Sequence, residues 1–160
     1  DRTKEAGSSG EPLYLDVVNA LKDRDIKIIG GRYGLSSKNT TPAMIKSVYD
    51  NLSGDMKSNF TIGINDDVTN LSLDIDNSYR LANNNYEMLI YGYGSDGMVS
   101  TSKDILRIIG DNTKKYVQGY FQYDSKKSGG VTRSHIRIGN TPIRSSYYVD
   151  NPNFNILLSS

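Results

Sequence analysis

Two stretches with helical spacing, each followed by a short apolar run, constrain the fold of this chain more than any other feature. In "EPLYLDVVNALKD" the apolar residues Leu13, Val17, Val18 and Leu21 recur at helical intervals, and Pro12 suits a first helical turn. "IKIIGG" then reads as a short buried strand closed by a glycine pair. "TTPAMIKSVYDNL" predicts a second helix. Thr41 is its cap, Pro42 its first residue, and Met44, Ile45, Val48, Tyr49 and Leu52 its apolar side. "NFTIGI" reads as the next strand. The alternation predicts an α/β fold whose first part is a parallel β-α-β-α-β unit.

Residues 65–85, "NDDVTNLSLDIDNSYRLANNN", are polar and rich in turn formers, and read as a linker. A second unit is expected over 86–160. It opens with the strand "YEMLIYG", turns through Gly92, Gly94 and Gly97, and enters a helix over roughly 99–110. Further strands are expected at "YVQGYFQYD", "SHIRIG" and "SSYYV". The polar start "DRTKEAG" reads as the interior of a domain, and "NFNILLSS" stops inside an apolar run, so both ends are expected to continue in a longer protein.

Charge narrows the function classes. The net charge is +1, which argues against a nucleic acid or membrane partner. Its distribution is uneven: residues 1–85 carry −2 and residues 86–160 carry +3, an asymmetry that suits an anionic ligand for the second unit. Without cysteine the chain has no thiolate nucleophile, disulfide or cysteine-ligated iron–sulfur cluster, and His135 is its only histidine, so no resident metal is expected. The Asn-X-Ser/Thr triplets at Asn39, Asn51, Asn59 and Asn70 reflect an asparagine-rich composition rather than glycosylation.

Three stretches could carry chemistry. The strand–glycine turn–helix of residues 91–111 would bring backbone N–H groups and a helix N-terminus together, as phosphate sites do. Gly92, Gly94 and Gly97 have the G-x-G-x-x-G spacing, but no acidic ribose partner follows at the right distance, and Asp96 opposes an anion. Close strand–helix packing is the competing reading. "DSKKSGGVT", with Lys126, Lys127 and Ser128, is either a basic phosphate loop or a solvated hairpin turn. In "TRSHIRIG" alternation places Arg133, His135 and Arg137 on one face, either a basic stripe that could meet phosphate or RNA alongside neighbouring tyrosines or simply an exposed or interface-facing strand side, and a lone His is weak evidence for acid–base work. The pair Asp66 and Asp67 reads as a turn cap rather than a cation site.

Taken together, "GEPLYLDV", "GGRYGLSSK", "TPAMIKSVYDNL", "NFTIGINDDVT", "GYGSDGMVSTSK", "YDSKKSGG" and "PIRSSYYV" resemble consecutive blocks of pyruvate:ferredoxin (flavodoxin) oxidoreductase, over essentially the whole chain. That enzyme is far longer. The resemblance implies a segment in which residues 1–64 end a domain like the C-terminal domain of transketolases, 65–85 link, and 86–160 begin the domain equivalent to the gamma subunit, associated with coenzyme A. It also implies oxidative decarboxylation of pyruvate to acetyl-coenzyme A by the parent enzyme. The thiamine diphosphate and iron–sulfur clusters would lie in other domains, with ferredoxin or flavodoxin as the acceptor, in a cytoplasmic or anaerobic-organelle homo-oligomer. Coenzyme A contacts would then fall on Gly92, Gly94, Ser95, Asp96, Gly97 and Lys103, with Lys126, Lys127 and Ser128. The family turn reads approximately G-x-G-x-D-G-T-V-G-A-N-K; Gly92, Gly94, Asp96, Gly97, Val99 and Lys103 match, whereas Met98, Ser100, Thr101 and Ser102 depart. The isolated chain is not expected to be catalytic. Two alternatives remain: a non-catalytic structural or subunit-interaction fragment of that enzyme, and an independent nucleotide- or RNA-binding module.

Overall fold

The computed structural model describes residues 1–34, 38–66, 68–124 and 130–158. It has a mixed α/β architecture and divides into two compact units, Asp1–Leu81 and Ala82–Ser160.

The first unit runs α1 (Pro12–Ala20), β1 (Gly31–Arg32), α2 (Pro42–Ser53) and β2 (Phe60–Thr61). The capping chemistry of α2 is as its sequence requires: Thr41 Oγ1 accepts the Met44 N–H at 3.3 Å, and Pro42 occupies the first turn. The helix hands over to β2 through Asn51, whose buried side-chain amide donates to the Lys57 carbonyl at 3.0 Å and accepts the Lys57 N–H at 2.9 Å. An Asn used in this way is a structural clamp, which accounts for one of the four sequons.

β1 and β2 pair in parallel, Gly31 opposite Phe60 and Arg32 opposite Thr61. The apolar run 26–31 contributes only its last residue to this pair. Just upstream, the Ile26 N–H bonds locally to the Arg24 carbonyl, a turn bond rather than a ladder bond. The stretch expected as a linker begins inside this unit. Leu71 O accepts from Thr61 N, Leu73 N donates to Thr61 O, and the Thr61 and Ser72 hydroxyls meet at 2.9 Å. The alternation Leu71–Ser72–Leu73 is enough for one rung beside β2.

The second unit is a four-stranded sheet with one helix. Its elements are β3 (Tyr86–Tyr93), α3 (Met98–Asn112), β4 (Tyr116–Gln122), β5 (Val131–Gly139) and β6 (Phe154–Leu157), and the strand order is β4-β5-β3-β6. β3 pairs antiparallel with β5 and parallel with β6. Ile90 and Ile136, both essentially inaccessible, form the centre of the core, each contributing roughly 1.5–3 kcal/mol by burial.

"SSYYV" is not a strand. Residues 145–149 cross the sheet and spend their backbone groups on side chains instead of a ladder. Gln118 Nε2 donates to Ser145 O at 2.8 Å, an Arg137 guanidinium N–H donates to Tyr147 O at 2.8 Å, and Val149 N–H donates to His135 Nδ1 at 3.2 Å.

Candidate functional site

The glycine turn between β3 and α3 is closed by its own aspartate. One Asp96 carboxylate oxygen accepts the Tyr93 N–H at 2.5 Å and the other accepts the Met98 N–H, the first of the helix, at 2.9 Å. Asp96 therefore faces the positive end of α3, where an anion would otherwise sit. Gly97 occupies the helix-cap position in the left-handed region, φ 80°, which a residue with a side chain adopts at a cost. Gly92 is required by a close approach: a Cβ there would lie 2.6 Å from the Asp96 carboxylate and 2.8 Å from Met98 Cβ. The spacing of the glycines thus serves the packing of Asp96 and α3 against β3, and two backbone N–H groups of the turn are already occupied by the carboxylate.

Gly94 has a different role. Its N–H donates to Gly130 O at 3.0 Å, just beyond the last rung of the β3–β5 ladder, Tyr93 opposite Val131. The glycine turn and the end of the basic loop therefore meet at one end of the sheet. Lys126, Lys127 and Ser128 themselves lie outside the described residues. Lys103, exposed on α3, holds its ammonium 5.5 Å from the centre of the Phe121 ring near the end of β4, the strand that leads into that loop. Ser95 is exposed in the turn. Two departures from the family turn are placed as well: Ser100 is exposed, whereas Ser102 is fully buried beneath α3, so a change at 102 acts on packing.

The basic stripe of β5 is resolved into one exposed and two buried residues. Arg133 is exposed and lies over the Tyr91 ring, while His135 and Arg137 are buried. Arg137 is neutralised internally: its Nε lies 2.6 Å from a Glu87 carboxylate oxygen across the β3–β5 pair, and the guanidinium stacks over Tyr147. His135 stacks on Tyr148 with ring centres 4.8 Å apart. Its pKa is held below the ordinary 6.5, chiefly by burial, with Arg137 and Arg133 pushing the same way. The Val149 N–H needs the Nδ1 lone pair, which fixes the neutral ring with its proton on Nε2. Of the three residues that alternation puts on this face, only Arg133 is left exposed, because residues 145–149 bond to the side chains of Gln118, Arg137 and His135.

Asp66 caps a turn: one carboxylate oxygen accepts the Val68 and Thr69 N–H groups at 3.1 Å, and the other takes the Thr69 hydroxyl. These bonds, led by the Thr69 hydroxyl, lower its pKa. Asp67 lies outside the described residues. Sequence reasoning missed Glu87, whose signal was a lone acid in an apolar strand, and Phe121, for which there was none.

A family described as "Pyruvate ferredoxin/flavodoxin oxidoreductase" matches residues 87–160. The pyruvate-flavodoxin oxidoreductase of Nostoc sp. is 53% identical over 96% of this chain, and the pyruvate:ferredoxin oxidoreductase of Moorella thermoacetica is 51% identical over 94%. This chain belongs to the pyruvate ferredoxin/flavodoxin oxidoreductase family. It is a segment, spanning 14% of the Nostoc relative and 13% of the Moorella one. Similarity extends to a pyruvate dehydrogenase [NADP(+)] of Cryptosporidium parvum, 46% identical over 92% of the chain and 8% of the relative. Among the described residues of this oxidoreductase segment, no helix is long and apolar enough to cross a membrane, and no group of three or more His, Asp or Glu side chains is placed to hold a metal ion.

Proposed function

We propose that the chain is the part of a pyruvate:ferredoxin/flavodoxin oxidoreductase in which residues 86–160 begin the gamma-like domain and help to seat coenzyme A, while residues 1–64 end a transketolase-C-like domain. The observation that carries the coenzyme A reading is the Gly94–Gly130 hydrogen bond, which joins the glycine turn to the end of the basic loop at one sheet end. A coenzyme A phosphate is an anion. Because Asp96 already occupies the Tyr93 and Met98 N–H groups, the attraction would come from Lys103 and from Lys126 and Lys127, with Ser128 as a hydroxyl partner and the backbone at Gly94 and Ser95 as a shape constraint.

The remaining chemistry belongs to other domains of the parent: thiamine diphosphate for decarboxylation, iron–sulfur clusters for electron transfer, and ferredoxin or flavodoxin as acceptor. The whole would act as a homo-oligomer in the cytoplasm or an anaerobic organelle. Calorimetric titration of the full-length oxidoreductase with coenzyme A tests the reading. Lys103→Ala and a Lys126→Ala/Lys127→Ala double variant should each weaken binding about ten-fold, in line with charge-assisted hydrogen bonds of roughly 1.5–3 kcal/mol partly screened by solvent. Unchanged affinity in both would move the coenzyme A site away from this sheet end.

A further inference from the structure

Glu11, the residue before α1, buries its side chain to 1% exposure without capping the helix. Gly30 makes the space for it: a Cβ at that position would lie 2.9 Å from one carboxylate oxygen. Among the described residues neither oxygen accepts a hydrogen bond. The nearest cation is Arg32, with its Nε 3.5 Å from the carboxylate, and that Nε also lacks a hydrogen-bond partner among the described residues. A carboxylate removed from water requires both a countercharge and hydrogen bonds, and a single long contact supplies neither in full.

Glu11 is one of the residues around a cavity of about 610 Å³ whose walls are mostly apolar, with Leu13 and Val17 from α1, Ile45, Tyr49 and Leu52 from α2, and Phe60 from β2; its carboxylate lies just beneath that wall. Leu13, Ile45 and Tyr49 are 61%, 51% and 67% exposed. These are the residues that helical spacing assigns to a core, yet they face an open cleft. The sheet behind them has two strands of two residues each, too little to stand alone. The family relatives are several times longer than this chain, so further polypeptide is available to cover the face.

We propose that this cleft docks another polypeptide segment of the full-length oxidoreductase, from outside residues 1–160. That segment is apolar and carries one Lys or Arg whose cation completes the pairing of Glu11. The apolar walls select the body of the segment and the underpaired carboxylate selects its charge. A glutamine at position 11 would fill the same space without attracting the cation.

The experiment uses the full-length oxidoreductase with the photo-crosslinking residue p-benzoylphenylalanine replacing Tyr49, followed by digestion and mass spectrometry. The expected product is an intramolecular crosslink to a peptide outside residues 1–160 with a Lys or Arg within a few residues of the attachment point. Glu11→Gln, measured in the same full-length protein, should reduce the crosslink yield several-fold and lower the melting temperature by several degrees. Four results would overturn the proposal: no crosslinked peptide, attachment within residues 82–160, attachment to residues 1–81 of a second copy, or attachment to a segment without a basic residue. An unchanged yield in Glu11→Gln would remove the role of the carboxylate. Should Glu11→Gln fail to fold, the crosslink in the protein with Glu11 intact still decides. The coenzyme A titration reads the second unit, so the two proposals fail separately.

Discussion

Replacing Glu87 by leucine should be among the most damaging single changes in the second unit. The substitution leaves the Arg137 guanidinium, 3% exposed, without its countercharge. Breaking a buried pair from one side costs about 3–5 kcal/mol, because the remaining charge stays desolvated. Arg137 keeps its bonds to Tyr147 O at 2.8 Å and Gln118 Oε1 at 3.2 Å, and its contact with the Tyr147 ring, so the lower end, about 3 kcal/mol, is expected. For a unit the size of residues 82–160 this corresponds to a fall in Tm of about 12–24 °C. Removing both charges in Glu87→Leu/Arg137→Met should recover much of the loss, to within about 1–2 kcal/mol of the parent, the residue being the unpaired Tyr147 carbonyl. Urea denaturation with hydrogen exchange of the β3 and β5 amides isolates this unit from the first. A double variant as unstable as Glu87→Leu alone would refute the argument, since the penalty would then not come from a stranded guanidinium.

Three further outcomes are expected. Asp96→Ala should cost about 1 kcal/mol by freeing the Tyr93 and Met98 N–H groups, detectable as faster exchange at the start of α3; unchanged exchange would mean that the carboxylate does not cap the turn. Gly92→Ala places a Cβ 2.8 Å from Met98 Cβ and should cost about 1–3 kcal/mol by overpacking, so a melting temperature equal to the parent's would show that α3 stands further from β3 than described. His135 should titrate below 6.5 in an NMR experiment. With the folded pKa below the unfolded one, its contribution to stability is full above about pH 6.5 and is lost as pH falls towards the folded value, so the second unit should be less stable at pH 5.5 than at pH 7.5; a titration at or above 6.5 would contradict the burial of the ring.

What could be read directly from the sequence is local. The cap and proline of α2 and the apolar spacing of α3 concern residues three or four apart, and both helices form within two residues of their expected limits. The inward turn of Asp96 is equally local, because the carboxylate reaches N–H groups two and three residues away. Strand alternation correctly places Arg133, His135 and Arg137 on one face, but it carries no information about what covers that face. Only the tertiary structure brings residues 145–149 across it, turning an expected basic stripe into a buried ion pair, a neutral histidine and one exposed arginine. The meeting of Gly94 with Gly130 depends on the β3–β5 register, a pairing between residues about 40 apart that no local period encodes. Glu11 shows the same limit: its sequence context is that of an ordinary residue before a helix, and its burial depends on Gly30, remote in sequence, leaving room for the carboxylate.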